Sequence, residues 1–173
     1  MVKQRKKKVL FVCTHNSSRS QIGEALLRAL YGDRYEAYSA GTKPTRVNPY
    51  AIRVMKEIGI DISSQSSKSV DEFLYKKFDY VVTVCNHAKE ECPVFPGAKK
   101  YLHQDFEDPS ECKGTEEEIL AIFRRVRNEV MNWVKETFEK GDDTPPLPSP
   151  YEGEGKGGVV IASRRRSKLV KKV

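Results

Sequence analysis

The sequence VLFVCTHNSSRS, residues 9–20, opens with four apolar residues that run into Cys13 and closes in a small polar loop. A short apolar run bounded by turn residues reads as a buried strand. The residues that follow, Ile22, Ala25, Leu26, Ala29 and Leu30, recur at helical spacing. The loop joining the two is Cys-x5-Arg, from Cys13 to Arg19. A cysteine at a strand end, facing the amides of a helix N-terminus, has its thiolate stabilised by N–H groups and by the helix dipole. The same loop, Thr14, His15, Asn16, Ser17 and Ser18, forms a cradle for an anion. Arg19 closes the ring with a planar fork that matches two oxygens of a tetrahedral anion. The stretch predicts a nucleophile set inside an oxyanion site.

Outward from this loop, strand and helix signals alternate. Residues 35–40 read as a short strand ending at Gly41. Asn48 is a cap and Pro49 a first-turn residue of a helix to about residue 57, presenting Ala51, Val54, Met55 and Ile58. Residues 70–76 predict another short helix. The run FDYVVTV, residues 78–84, is a central buried strand that delivers Cys85 at its end. Residues 99–103 are a weaker strand candidate. Thr115 and Glu118 have capping-box spacing and open a long helix to about residue 140. That helix is expected to bury Ile119, Ile122, Phe123, Val126, Val130, Trp133, Val134 and Phe138.

This alternation predicts an α/β fold, a three-layer open sheet of about four parallel strands with helices on both faces. Such sheets bind ligands beyond the carboxyl ends of their strands. Cys13 and Cys85 both fall at such ends, so pattern alone puts them on one rim.

The chain has 173 residues and a formal charge of +7. The positive charge is terminal: residues 1–8 and 151–173 each carry a net +5, leaving the body acidic. A nucleic-acid binder presents its basic stripe on the fold, so no specific nucleic-acid partner is expected. Three segments follow: a basic arm, 1–8; a catalytic domain, 9–140; and a Pro/Gly-rich linker with a basic tail, 141–173, expected to be disordered. No apolar run reaches transmembrane length and none reads as a signal, so no membrane association is expected. Four cysteines without export signals point to a cytoplasmic setting, where thiols are more often catalytic than structural.

The run CTHNSSRS between a strand and a helix resembles the anion loop of the low-molecular-weight phosphotyrosine phosphatase superfamily. Within it, VVTVCNHAKEECP resembles the thioredoxin-coupled arsenate reductases, in which two further cysteines complete a relay begun by the loop cysteine. The resemblance covers roughly residues 9–140. It implies a phosphatase-like fold and a monomer that binds arsenate, phosphate or another tetrahedral oxyanion, with no cofactor and thioredoxin as external reductant. It also implies roles for Cys13, Cys85 and Cys92 as successive nucleophiles, for Arg19 as oxyanion clamp, and for Asp108 as acid/base carboxylate. Ser20 is implied as a hydrogen-bond donor to the Cys13 thiolate. Phosphatases of the superfamily often carry Asp-Pro-Tyr where this chain has Asp108-Pro109-Ser110.

Some of these reductases hold a potassium ion whose ligands map to Asn16, Glu24 and Ser39, but the expected aspartate is Lys68. No metal is therefore expected. Cys112 has no place in the relay. The alternative function is a tyrosine phosphatase acting through a phosphocysteine, and a third is a non-enzymatic oxyanion sensor.

Overall fold

The computed structural model describes residues 3–141. The expected linker and basic tail lie almost wholly outside these residues, as do the first two residues of the basic arm. Four strands form one parallel sheet in the order β2-β1-β3-β4. They are β1 (Lys7–Cys13), β2 (Tyr35–Gly41), β3 (Tyr80–Thr83) and β4 (Lys100–His103). The helices are α1 (Arg19–Tyr31), α2 (Pro49–Lys56), α3 (Asn86–Glu91) and α4 (Glu116–Phe138).

β1 begins two residues before the apolar run, because Lys7 and Lys8 pair with Tyr35 and Glu36 across the ladder. The Lys8 amide and the Arg5 guanidinium also bind the buried Asp79 carboxylate, at 2.8 and 2.9 Å. That carboxylate is held below its usual range by these donors, with Lys99 adding a third, against the opposing effect of burial.

Alternate residues of the central strands feed two aromatic clusters. Phe138 of α4 meets Phe11, Tyr35 and Tyr80 edge to face on one side. Tyr38, Phe73, Phe78 and Phe95 interlock on the other. The first side is covered by α1 and α4, with α2 packed on α4. On the second side the helix expected over 70–76 is only a 3₁₀ turn, Val70–Phe73. Its side-chain load, Val70 and Phe73, is too short to drive a longer amphipathic helix.

α4 starts with the expected capping box, Thr115 and Glu118 exchanging both hydrogen bonds. Ile119, Ile122 and Trp133 pack at the margin of the core, while Leu120 and Arg127 are buried in their place. Leu30 and Ile58, expected inside, are each 37% exposed, since each falls at a helix end turned past the sheet. Among the described residues, no helix is long and apolar enough to cross a membrane.

The strand order reverses direction between β1 and β3. In open parallel sheets the crevice at that reversal is where ligands sit. β1 ends on Cys13, and Cys85 follows two residues after β3. Both cysteines therefore arrive at the switch point.

Candidate active site

The loop from Cys13 to Arg19 is held in shape by Asn16, whose backbone lies in the left-handed region at φ 48°. Its side chain makes that conformation affordable by bonding in both directions. Asn16 Oδ1 accepts from the Lys68 amide and from Gln21 Nε2, each at 2.9 Å. The Asn16 Nδ2 donates to Ser20 Oγ at 2.8 Å. Ser20 Oγ lies 2.8 Å from Cys13 Sγ and, having accepted from Asn16, keeps its proton to donate to a thiolate there. The Asn16 amide donates to the same sulfur at 3.1 Å. Two donors thus converge on Cys13, which is 2% exposed.

Burial nevertheless dominates and pushes the Cys13 thiol above its ordinary value, with the Ser20 hydrogen bonds and Arg19 pulling the other way. Gly41 lets the end of β2 lie against this loop. A Cβ there would stand 2.6 Å from the Thr14 carbonyl oxygen and 2.9 Å from the Asn16 nitrogen.

Arg19 is 7% exposed and is gripped at its outer end. It donates to the Phe106 carbonyl at 2.9 Å and to Asp108 at 2.8 Å. Its remaining N–H donors are free to meet an anion. Asp108 is therefore both an ion-pair partner and a turn residue, its second oxygen accepting from the Ser110 amide and hydroxyl. Ser17 joins the loop through its carbonyl, which accepts from the Asn48 amide. Ser18 Oγ is buried and has no partner. The His15 side chain is exposed and, with Arg46 and Ser110, lines a cavity of about 250 Å³ beside the loop.

The second and third cysteines flank α3. Cys85 caps its start, its sulfur accepting from the Ala88 amide at 3.3 Å, and Cys92 follows its last residue. Thr14 Oγ1 reaches across to Cys85 Sγ at 3.5 Å. Both cysteines are buried. Burial, then Cys85, pushes the Cys92 thiol up to about 12. Cys112 is partly exposed, 3.8 Å from Glu107, away from this constellation.

The Asn16, Glu24 and Ser39 set does not fit a resident potassium ion. Glu24 is buried and already neutralised by Arg28 at 2.7 Å and Lys68 at 3.9 Å, with Ser39 donating to it. Among the described residues, no group of three or more His, Cys, Asp or Glu is placed to hold a metal. Gln21, which ties the loop to Ser66, carried no local signal: a polar helix residue reads as solvent-facing until the fold buries it.

Residues 8–143 match the family model described as low molecular weight phosphotyrosine protein phosphatase. The chain belongs to that family. An arsenate reductase from Halalkalibacterium halodurans is 47% identical over 136 residues, covering 79% of this chain and 98% of the relative. An arsenate reductase from Bacillus subtilis is 44% identical, covering 77% and 96%. A solved arsenate reductase in its phosphate-binding state superposes with a TM-score of 0.68 at 34% identity, over 78% of this chain and 98% of that one. The fold expected from the strand and helix pattern is the fold of these family members.

Proposed function

We infer that this family member reduces arsenate to arsenite through Cys13, Cys85 and Cys92, with thioredoxin as the final reductant. The observation that supports this reading is the placing of three buried thiols: Cys13 ends β1, Cys85 follows β3 with its sulfur 3.5 Å from Thr14 Oγ1, and Cys92 follows the short helix that Cys85 caps. A phosphate-ester hydrolase needs the first of them alone. Relatives solved in reduced, intermediate and oxidised states are arsenate reductases at 34% identity.

In the proposed cycle the anion sits on the loop amides and Arg19. The Cys13 thiolate attacks arsenic: an As–S bond forms, an As–O bond breaks, and the hydroxide departs as water. In this reading Asp108, the ion-pair partner of Arg19, acts as the acid that delivers that proton after taking it up from solvent. The Cys85 thiolate then attacks the Cys13 sulfur. The As–S electron pair passes to arsenic, which leaves as arsenite, and a Cys13–Cys85 disulfide remains. Cys92 displaces Cys13 from Cys85, and an external dithiol reduces the Cys85–Cys92 bond. No resident cofactor enters any step, and the reducing cytoplasm is the compartment in which such thiols stay available. A monomer suffices, since every group named lies in one chain.

The second reading is a tyrosine phosphatase, and what supports it is an open depression of about 250 Å³ beside the loop, lined by His15, Ser17, Arg46 and Ser110, where the rest of a phosphate ester could lie. The test is NADPH consumption with arsenate, thioredoxin and thioredoxin reductase, set against a glutaredoxin system. Cys85→Ser should abolish multiple-turnover reduction and leave any aryl phosphate hydrolysis intact. If Cys85→Ser reduces arsenate as fast as the unaltered protein, the relay is wrong.

A further inference from the structure

His103 ends β4 and stands opposite Thr83, the last residue of β3, in the ladder. Its half-buried ring touches two side chains: Nδ1 lies 2.8 Å from Thr83 Oγ1, and Nε2 lies 3.2 Å from Asn86 Oδ1. Asn86 is the first residue of α3 and directly follows Cys85. The Asn86 Nδ2 is spent on Asp105 at 2.9 Å, so the oxygen facing His103 must accept. With Asn86 oriented this way Nε2 donates to it, and in the neutral ring the Thr83 hydroxyl, which also lies 3.5 Å from the Leu102 carbonyl, donates to Nδ1.

The charged neighbours agree with a neutral ring. Burial and Lys89 on α3 push His103 below its ordinary value, opposed by Asp105 and by its bond to Thr83. The chain of contacts runs from the ends of two strands into the first turn of α3. In that turn the Ala88 amide donates to the Cys85 sulfur.

We propose that His103 is a positioning residue for Cys85, holding Asn86 so that the first turn of α3 keeps its amide on the sulfur. The inference rests on the relay reading for its functional consequence but not for its structural one. Without the imidazole, Asn86 keeps a single tether to Asp105 and the turn opens more often. The hydrogen bonds of His103 run to Thr83 and Asn86 rather than to the oxyanion loop, so anion binding should not change.

Three measurements on the full-length protein test this, the first two in its reduced form. Hydrogen exchange at the Ala88 amide should be about fivefold faster in His103→Leu, the loss expected for one hydrogen-bonded anchor. His103→Gln, which offers a donor and an acceptor at similar reach, should restore protection. Asn86→Ala should reproduce the faster exchange, and it keeps the test open should His103→Leu fold poorly. In the unaltered protein the ring ¹⁵N shifts should report a protonated Nε2 and a bare Nδ1. In turnover, His103→Leu should lower kcat several-fold with the arsenate KM and the affinity for inorganic phosphate unchanged.

Unchanged Ala88 exchange in both His103→Leu and Asn86→Ala would overturn the proposal, as would a rise in KM equal to any fall in kcat. If exchange responds as expected while the unaltered protein reduces no arsenate, His103 still positions Cys85 and it is the relay reading that fails.

Discussion

Thr14 Oγ1 lies 3.5 Å from Cys85 Sγ, so the residue next to Cys13 touches Cys85 across the gap between β1 and β3. Residues 71 positions apart in the chain are joined because their strands are neighbours in the sheet. The parallel register pairs Val12 with Thr83, which delivers the two strand ends level with each other. Four predictions follow from the contacts around this junction.

The first concerns α3. Cys85 and Cys92 bracket a six-residue helix. Seven steps at 1.5 Å would set their Cα atoms about 10.5 Å apart, while a disulfide requires roughly 4.4–6.8 Å. α3 must therefore unwind to form a Cys85–Cys92 bond. Amide exchange across residues 86–91 should accelerate by orders of magnitude on oxidation and return on reduction. A Cys85–Cys92 disulfide with the helix amides still protected would refute it.

Alkaline pH should weaken the fold through Cys92. Its thiol is raised from 9.0 to about 12 in the folded chain. Below pH 9 both folded and unfolded forms hold the proton, and the stabilisation is fully present. Between about 9 and 12 the unfolded chain loses its proton first, so stability falls as pH rises. Urea melts of Cys92→Ala should show a shallower decline over that window than the unaltered protein, after allowance for the cavity. Cys13, also raised by burial, will supply part of the remaining slope.

Potassium should have little specific effect. The Lys68 ammonium lies 3.9 Å from Glu24 and donates to the Ser66 carbonyl at 2.8 Å, so the buried carboxylate already has its counter-charge. Turnover in potassium and sodium chloride at equal ionic strength should agree within about twofold. Lys68→Asp would leave a buried pair of carboxylates in need of a cation, and that variant should become potassium-dependent. A large potassium activation of the unaltered protein would contradict the assignment.

Gly41→Ala should damage the oxyanion loop. The added methyl would meet backbone atoms of Thr14 and Asn16 at 2.6 and 2.9 Å, neither of which can rotate away. Overpacking of this kind costs about 1–3 kcal/mol. Because the displaced atoms belong to the anion cradle, calorimetric affinity for phosphate should fall at least about tenfold. Unchanged phosphate affinity would show that the loop is softer than its packing implies.

Much of the site was legible because its signals are local. A strand end, a Cys-x5-Arg loop and a helix start lie together in the one stretch 7–20, where Ser20 Oγ stands 2.8 Å from Cys13 Sγ. The capping box at Thr115 was equally readable, since both of its bonds close within four residues. Gln21, His103 and the Phe106 carbonyl left no such trace, because each acts through partners 45, 17 to 20 and 87 positions away. The cover on the second sheet face was misjudged for a related reason. Periodicity over residues 70–76 allows a helix, but burial of Val70 and Phe73 against Tyr38 and Phe78 needs only one turn.

The amino-acid order alone determined the parallel α/β architecture, the anion loop and the placing of two cysteines at strand ends, because hydrophobic period and turn chemistry act over a few neighbouring residues. Tertiary structure decided the burial that raises the Cys13 and Cys92 thiols, the counter-charge on Glu24, the pairing of Asp108 with Arg19 and the contact of His103 with Asn86. Each of these depends on burial and on groups brought together from distant strands, and neither exists until the sheet has closed.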